Sequence, residues 1–324
     1  MFPPVTTHST PRNPTFRKLA LVVATSALLA TGCSSDSDDD DTDTHSDTDI
    51  TSSGRLVVYQ PDDAALSVLD IDSEANPVLD SFALTGEVPS LYASPGNRYA
   101  AVIQRTDGLV AFLDSGLYTE DHGDHLHDYA EDPAMLDTTI SGSRPTHFTV
   151  HEDHAALFFD AEEGLVSSVT LLDDAAIGAG STVAELALEN NMHGVAKLID
   201  DSLFVTYRDP SITDTTLPDE VDRYGFDDGA LSFEHRYTEQ CPGLHGSAAT
   251  DDVIAFGCTD GVLAIDLEQE DMPAINLGNP ATIAEDSRIG SLYSHHDVDL
   301  LVAVAGSQFF VVDTSDSADP YIEL

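Results

Sequence analysis

Apolar residues in this chain come in short runs cut by glycine, aspartate, asparagine and proline, and hardly anywhere at the spacing of an amphipathic helix. Runs of that kind predict strands. One order of runs recurs: a small-residue strand, a turn, an apolar strand, another turn, a third strand ending near aspartate, and a weaker fourth. Pro89 to Ser94, Tyr99 to Gln104 and Leu109 to Asp114 form one copy. Thr146 to Val150, Ala155 to Phe159 and Leu165 to Leu171 form the next, followed by Met192 to Leu198 with Leu203 to Tyr207. Leu244 to Thr250, Val253 to Gly257 and Val262 to Asp266, then Ile289 to Ser294, Leu300 to Ala305 and Phe309 to Asp313, complete the series. The copies start about 45–55 residues apart, the period of a four-stranded propeller blade. The expected fold is therefore all-β, a β-propeller of four-stranded blades with about six blade units visible. The opening copy, Arg55 to Gln60, Ala65 to Ile71 and Val78 to Leu84, lacks an inner strand. Tyr321 to Leu324 reads as an outer fourth strand, so the strand that would close the ring is missing and an open edge is expected.

Composition narrows the partners. The 324 residues are 41% hydrophobic, enough for a substantial core, and carry 59 acidic against 12 basic side chains, a formal charge of −47. That charge argues against nucleic acid or an anionic membrane surface. Eight aspartates lie in the run Asp36 to Asp49, so most of the acidity is spread through the folded part, as in proteins adapted to high salt. In such a chain a lone carboxylate carries little information.

The start of the chain reads as a targeting signal over residues 1–33. Arg12, Arg17 and Lys18 form a basic region, Leu19 to Leu29 an apolar one too short to span a bilayer, and Ala30-Thr31-Gly32-Cys33 resembles a bacterial lipobox. Cys33 is the expected lipidation site, with Ala30 standing where leucine is usual. Ser34 after the cysteine favours the outer membrane over inner-membrane retention. Residues 34–53, rich in Asp and Ser, are an expected disordered tether, and residues 54–324 the propeller domain.

Candidate chemistry concentrates on histidine, of which the chain has 13. The stretch Glu120 to Tyr129, E-D-H-G-D-H-L-H-D-Y, brings His122, Asp124, His125 and His127 into one segment. Imidazole nitrogen with carboxylate oxygen and no thiolate suits Zn²⁺, and less selectively Ni²⁺ or Cu²⁺. A solvated acidic loop that happens to carry histidines is the plainer alternative. A second set follows from the repeats: His147, His193 and His245 each sit near the start of an inner strand, in three successive blades. Equivalent positions on inner strands converge on the propeller axis, where Gly194 and Gly246 would leave space. The 115–136 loop joins a third strand to a fourth, which in simple propeller topology places it on the opposite face together with His151, His154, His295 and His296; the alternative is that it folds round the rim over the channel mouth and all six histidines serve one site. Cys241 precedes one strand and Cys258 ends the next, so antiparallel pairing brings them within disulfide distance, a zinc site using both thiols being the alternative.

Taken together, D-H-G-D-H-L-H-D-Y at 121–129, S-R-P-T-H-F at 143–148, M-H-G-V-A at 192–196, Q-C-P-G-L-H-G-S-A at 240–248 and A-F-G-C-T-D-G-V-L at 255–263 resemble the AztD-type zinc metallochaperones. These are periplasmic β-propeller proteins that hand Zn²⁺ to the solute-binding protein of a zinc ABC importer. The resemblance implies zinc ligation by the 122–127 histidines and by His147, His193 and His245, and a disulfide between Cys241 and Cys258. It also implies a periplasmic location, reached here with a lipid anchor that the family does not usually carry. The leading expectation is thus a non-enzymatic zinc-binding and transfer protein. The alternatives are a metal-dependent hydrolase or oxidoreductase on the same scaffold, for which the chain shows no nucleophile elbow or cofactor motif, and a propeller used only for protein docking.

Overall fold

The computed structural model describes residues 52–324 other than Asn76, His122, Asp124, Glu285, Asp286, His296 and Asp297. The expected signal sequence with Cys33, and the tether as far as residue 51, lie outside the described residues.

Six antiparallel sheets follow one another along the chain. Sheet 1 has three strands, β1 (Arg55–Gln60), β2 (Ala65–Asp70) and β3 (Val78–Ala83). Sheet 2 is β4 (Ser90–Ala93), β5 (Tyr99–Gln104), β6 (Leu109–Asp114) and β9 (Ala134–Ser141), with a separate hairpin, β7 (Leu117–Asp121) and β8 (Leu126–Ala130), inserted before its last strand. Sheet 3 is β10 (Pro145–His151), β11 (His154–Phe159), β12 (Ser168–Leu172) and β13 (Ala184–Ala187), and a helical turn α1 (Asp174–Ala179) precedes β13. Sheet 4 is β14 (Ala196–Ile199), β15 (Ser202–Tyr207), β16 (Glu220–Asp227) and β17 (Ala230–Tyr237). Sheet 5 is β18 (Ser247–Ala249), β19 (Val253–Gly257), β20 (Gly261–Asp266) and β21 (Ala274–Gly278). Sheet 6 is β22 (Ile289–His295), β23 (Val298–Ala305), β24 (Gln308–Val312) and β25 (Tyr321–Glu323). This is the blade succession of a β-propeller, each four-stranded sheet taken in chain order.

The second strands explain why the chain reads as apolar runs rather than as alternation. Successive side chains of a strand point to opposite faces, and in sheets 2 to 5 both faces are covered by neighbouring sheets. Ala100 and Val102 of β5 pack with Leu66 and Val68 of sheet 1, whereas Tyr99, Ala101 and Ile103 pack with Leu157 and Phe159 of sheet 3. Ala156 and Phe158 turn the other way, onto Ala196, Leu203 and Val205. Phe204 continues the series against Ile254 and Phe256, and Ala255 against Leu301 and Ala303. Five buried clusters therefore lie between consecutive sheets, and among the described residues none joins sheet 6 to sheet 1.

Three local features depart from the sequence reading. The 115–136 segment is a paired hairpin rather than an open loop: Leu117 to Asp121 face Ala130 to Leu126 in unbroken register. Its base is held by Arg55, whose guanidinium donates to the carbonyls of Ser115 and Glu131. The inner strands expected at Met192 and Leu244 begin only at Ala196 and Ser247. The preceding amides bond elsewhere: Met192 to the Asp160 carbonyl at 3.1 Å, His193 to Thr216 at 2.8 Å, Leu244 to Pro218 at 3.0 Å and His245 to Gly257 at 2.9 Å. Finally, α1 is too short to show helical periodicity. Asp173 caps its first turn by accepting from the Ala176 amide at 2.6 Å, and Gly180 ends it in the left-handed region at φ 67°.

Candidate metal centre

His147, His193 and His245 come from three successive sheets and meet. His147 stands on β10 beside a bulge between Pro145 and His147, while His193 and His245 lie on the irregular leads into β14 and β18. Their ring centroids are 5.0 Å apart for His147 and His193, 5.0 Å for His193 and His245, and 5.6 Å for His147 and His245. One ring nitrogen of each lies within 4.8 Å of the others, and this is the group of three metal-ligating side chains that the described residues bring together. The crevice between the rings is also lined by Gly194, Val195, Leu244 and Gly246.

The hydrogen bonds behind the rings fix which nitrogen faces inward. His193 Nδ1 lies 2.8 Å from Asp160 Oδ2, and His245 Nδ1 lies 2.8 Å from the Gly290 carbonyl. A carboxylate and a carbonyl only accept, so both Nδ1 atoms carry hydrogen and donate. Both Nε2 atoms then turn toward each other, 3.1 Å apart. Two imidazole nitrogens at that distance share a cation between them, either a proton in a hydrogen bond or a metal ion. Nitrogens on one tetrahedral zinc stand about 3.3 Å apart, given bonds of about 2.0–2.1 Å, so the rings are already near ligand spacing.

Electrostatics favours neutral rings at His147 and His245. Burial, followed by the neighbouring His193 and His245, lowers the His147 pKa to about 4. Burial also lowers that of His245, against a smaller opposing effect of the Gly290 carbonyl. Burial pushes the Asp160 carboxyl up, but hydrogen bonds from His193 and Arg105 outweigh it and hold the group below the usual carboxylate range. Asp160 is an ionised carboxylate with 4% of its side chain exposed, while 28% of the His193 side chain reaches solvent.

The two glycines serve packing rather than open space at the axis. A Cβ on Gly194 would lie 2.6 Å from Phe158 Cζ, inside the interface of sheets 3 and 4. Gly246 has φ +75°, and a Cβ there would meet the Gly290 carbonyl at 2.9 Å, the acceptor that orients His245. Cys241 and Cys258 form a disulfide with a Cα separation of 5.0 Å, both fully buried. It clamps the segment leading to His245, since the Thr259 amide also bonds the Pro242 carbonyl at 2.8 Å.

The hairpin set is described only in part. His125 and His127 are described and do not join the three-histidine group, whereas His122 and Asp124 lie outside the described residues. His127 packs edge-on to Tyr129 at 4.6 Å, Tyr129 stacks on Tyr118 at 4.8 Å, and the Arg98 guanidinium covers Tyr118 at 3.5 Å. His151 and His154 face each other across the β10–β11 turn, at the far end of β10 from His147, and His154 packs against Phe226 at 6.0 Å. His295 ends β22, and His296 lies outside the described residues.

Sequence reasoning missed Asp160, Arg105 and the Gly290 carbonyl. A signal existed in the repeats. The residue directly after each second strand is Arg105, Asp160, Arg208 and Cys258 in sheets 2 to 5, a polar or reactive group each time, at the end of the strand nearest the triad.

No protein-family model matches the chain. The zinc chaperone AztD of Citrobacter koseri is 27% identical over 225 residues, which cover 68% of this chain and 49% of that protein. The chain thus spans about half the length of this curated relative. The crystal structure of Citrobacter koseri AztD superposes with a TM-score of 0.65 at 24% identity, over 83% of this chain and 68% of that one. Its apo form gives 0.65 at 23% identity, over 83% and 70%. A functionally unknown protein from Desulfotomaculum acetoxidans gives 0.56 at 9% identity, over 84% and 79%. The chain therefore resembles a zinc chaperone in sequence and shares the fold of its crystal structures.

Proposed function

We propose that this protein is an extracytoplasmic, non-enzymatic zinc metallochaperone of the AztD type, holding Zn²⁺ on His147, His193 and His245 as cargo. The observation that carries this reading is the convergence of the three rings, one nitrogen of each within 4.8 Å of the others, with His193 and His245 each oriented by an acceptor behind its ring. Three neutral nitrogens leave a fourth coordination position open, where water or a ligand from an acceptor can enter. Such a site can pass its ion on without first losing all its own ligands. The acceptor we infer is the solute-binding protein of a zinc ABC importer, in keeping with the sequence likeness to a zinc chaperone. His122, Asp124, His125 and His127 at the hairpin form a second, faster-exchanging set.

The test is the metal content of protein purified without chelator, followed by zinc titration of the wild type and of His147→Ala/His193→Ala/His245→Ala. One tight equivalent in the wild type and none in the triple variant is expected. Equal tight binding by both would refute the triad as the site. Export with lipidation at Cys33, leaving the domain tethered in the periplasm at the outer membrane, belongs to the same proposal. Fatty-acid labelling that persists in Cys33→Ser would remove that part.

A further inference from the structure

We propose that Asp160 and Arg105 together set how firmly the triad holds its ion, Asp160 as the positioning carboxylate behind His193 and Arg105 as a counter-charge drawing on the same oxygen. The inference rests on the triad being the zinc site.

Asp160 Oδ2 takes two charge-assisted contacts, from His193 Nδ1 at 2.8 Å and from an Arg105 terminal nitrogen at 2.7 Å. Its other oxygen is buried without a hydrogen-bond partner among the described residues, so one oxygen carries both. Arg105 is itself fixed: its Nε donates to Thr146 Oγ1 at 2.9 Å, and the Thr146 hydroxyl donates to the Arg144 carbonyl at 2.8 Å. Yet 42% of the Arg105 side chain is exposed. It comes from the β5–β6 turn of sheet 2, a sheet that supplies no ligand to the triad.

A carboxylate accepting from Nδ1–H fixes the tautomer and raises the basicity of Nε2, which strengthens the bond to a metal. A guanidinium on the same oxygen withdraws part of that donation. Its own charge also opposes a divalent ion nearby, since unit charges in a partly buried site act at well under the dielectric of water. The two residues should therefore act in opposite directions. A pair kept only for structural reasons would not behave so, because loss of either member would loosen the same contact.

The experiment measures zinc affinity by competition with a chromophoric chelator for wild type, Asp160→Asn and Arg105→Gln, all checked by thermal melting. Asp160→Asn is expected to weaken binding about 10–100-fold, the usual effect of losing a partner behind a metal-bound histidine. Arg105→Gln is expected to tighten binding by roughly threefold or more, through removal of the opposing charge. In metal-free protein, nitrogen-15 spectra of the imidazoles should show the His193 proton on Nδ1 in the wild type and shifted toward Nε2 in Asp160→Asn. Both variants moving affinity the same way, or Asp160→Asn leaving affinity and tautomer unchanged, overturns the inference while the triad stands. A wild type without tight zinc removes the triad reading, and this one with it. Should Asp160→Asn fail to fold, the half-exposed Arg105→Gln decides alone: weaker or unchanged binding overturns the proposal.

Discussion

His147 shows at residue scale how burial prepares a site and what it costs. Its lowered pKa of about 4 comes first from burial and then from His193 and His245, with Asp160 opposing and Arg105 adding to the shift. In the unfolded chain the same ring titrates near 6.5. Between those values the unfolded state binds more protons, so stability rises with pH there and is lost as pH falls from about 6.5 toward 4. Urea melts of metal-free protein at pH 7, 5.5 and 4.5 should show a midpoint dropping through that window, less steeply in His147→Gln. A midpoint equally steep in the variant would show that His147 is not the cause. The three histidines were legible in the sequence because repeat phase marked them: each lies a fixed short way into its copy. Asp160 was not, because one aspartate among 59 acidic residues has no contrast, and only its place after an apolar strand distinguishes it.

The hairpin β7–β8 and the disulfide carry the predictions at the scale of elements. A hairpin already paired over Leu117–Asp121 and Leu126–Ala130 need not order those strands around an ion. Changing His122, His125 and His127 to alanine should remove a weaker zinc equivalent and rapid transfer, leaving one tight equivalent. Loss of all tight binding would place the site at the hairpin instead. The bond between Cys241 and Cys258, 17 residues apart, is worth about 3 kcal/mol in the chain-entropy model. Cys241→Ser/Cys258→Ser should lose stability of that order in denaturant melts, and zinc affinity with it, because the segment bearing His245 is released. Undiminished affinity in the folded double variant would separate the clamp from the site.

Element legibility followed burial. Second and third strands such as β5, β11, β19 and β20 are buried nearly throughout and stand out as apolar runs. Last strands of their sheets, such as β3 and β17, are mostly exposed and give little contrast. The leads at Met192 and Leu244 read as strand because they are apolar and buried, yet the Met192, His193 and Leu244 amides bond to Asp160, Thr216 and Pro218 outside the ladder. No run of residues reveals that choice.

At the scale of the whole molecule the charge of −47 dominates. Carboxylates spread over the folded part repel one another across distances that salt screens, since the Debye length falls from about 10 Å at 0.1 M to about 3 Å at 1 M. The melting temperature should therefore rise on going from 0.1 M to 1 M sodium chloride, and a flat or falling curve would count against self-repulsion as the destabilising force. Blade order was legible from the repeat spacing. Ring closure was not, and the five interfaces between six sheets make each sheet depend on its neighbours in the chain.

The triad and its supports are spread across that series. Arg105 belongs to sheet 2, His147 and Asp160 to sheet 3, His193 to sheet 4, His245 to sheet 5 and Gly290 to sheet 6. Five consecutive sheets must dock before the last acceptor stands behind the last ring. Until they have docked, the chain has the three histidines but not the triad. On the reading proposed above, loading of the triad is set in time as well as in space, because it follows the docking of those sheets.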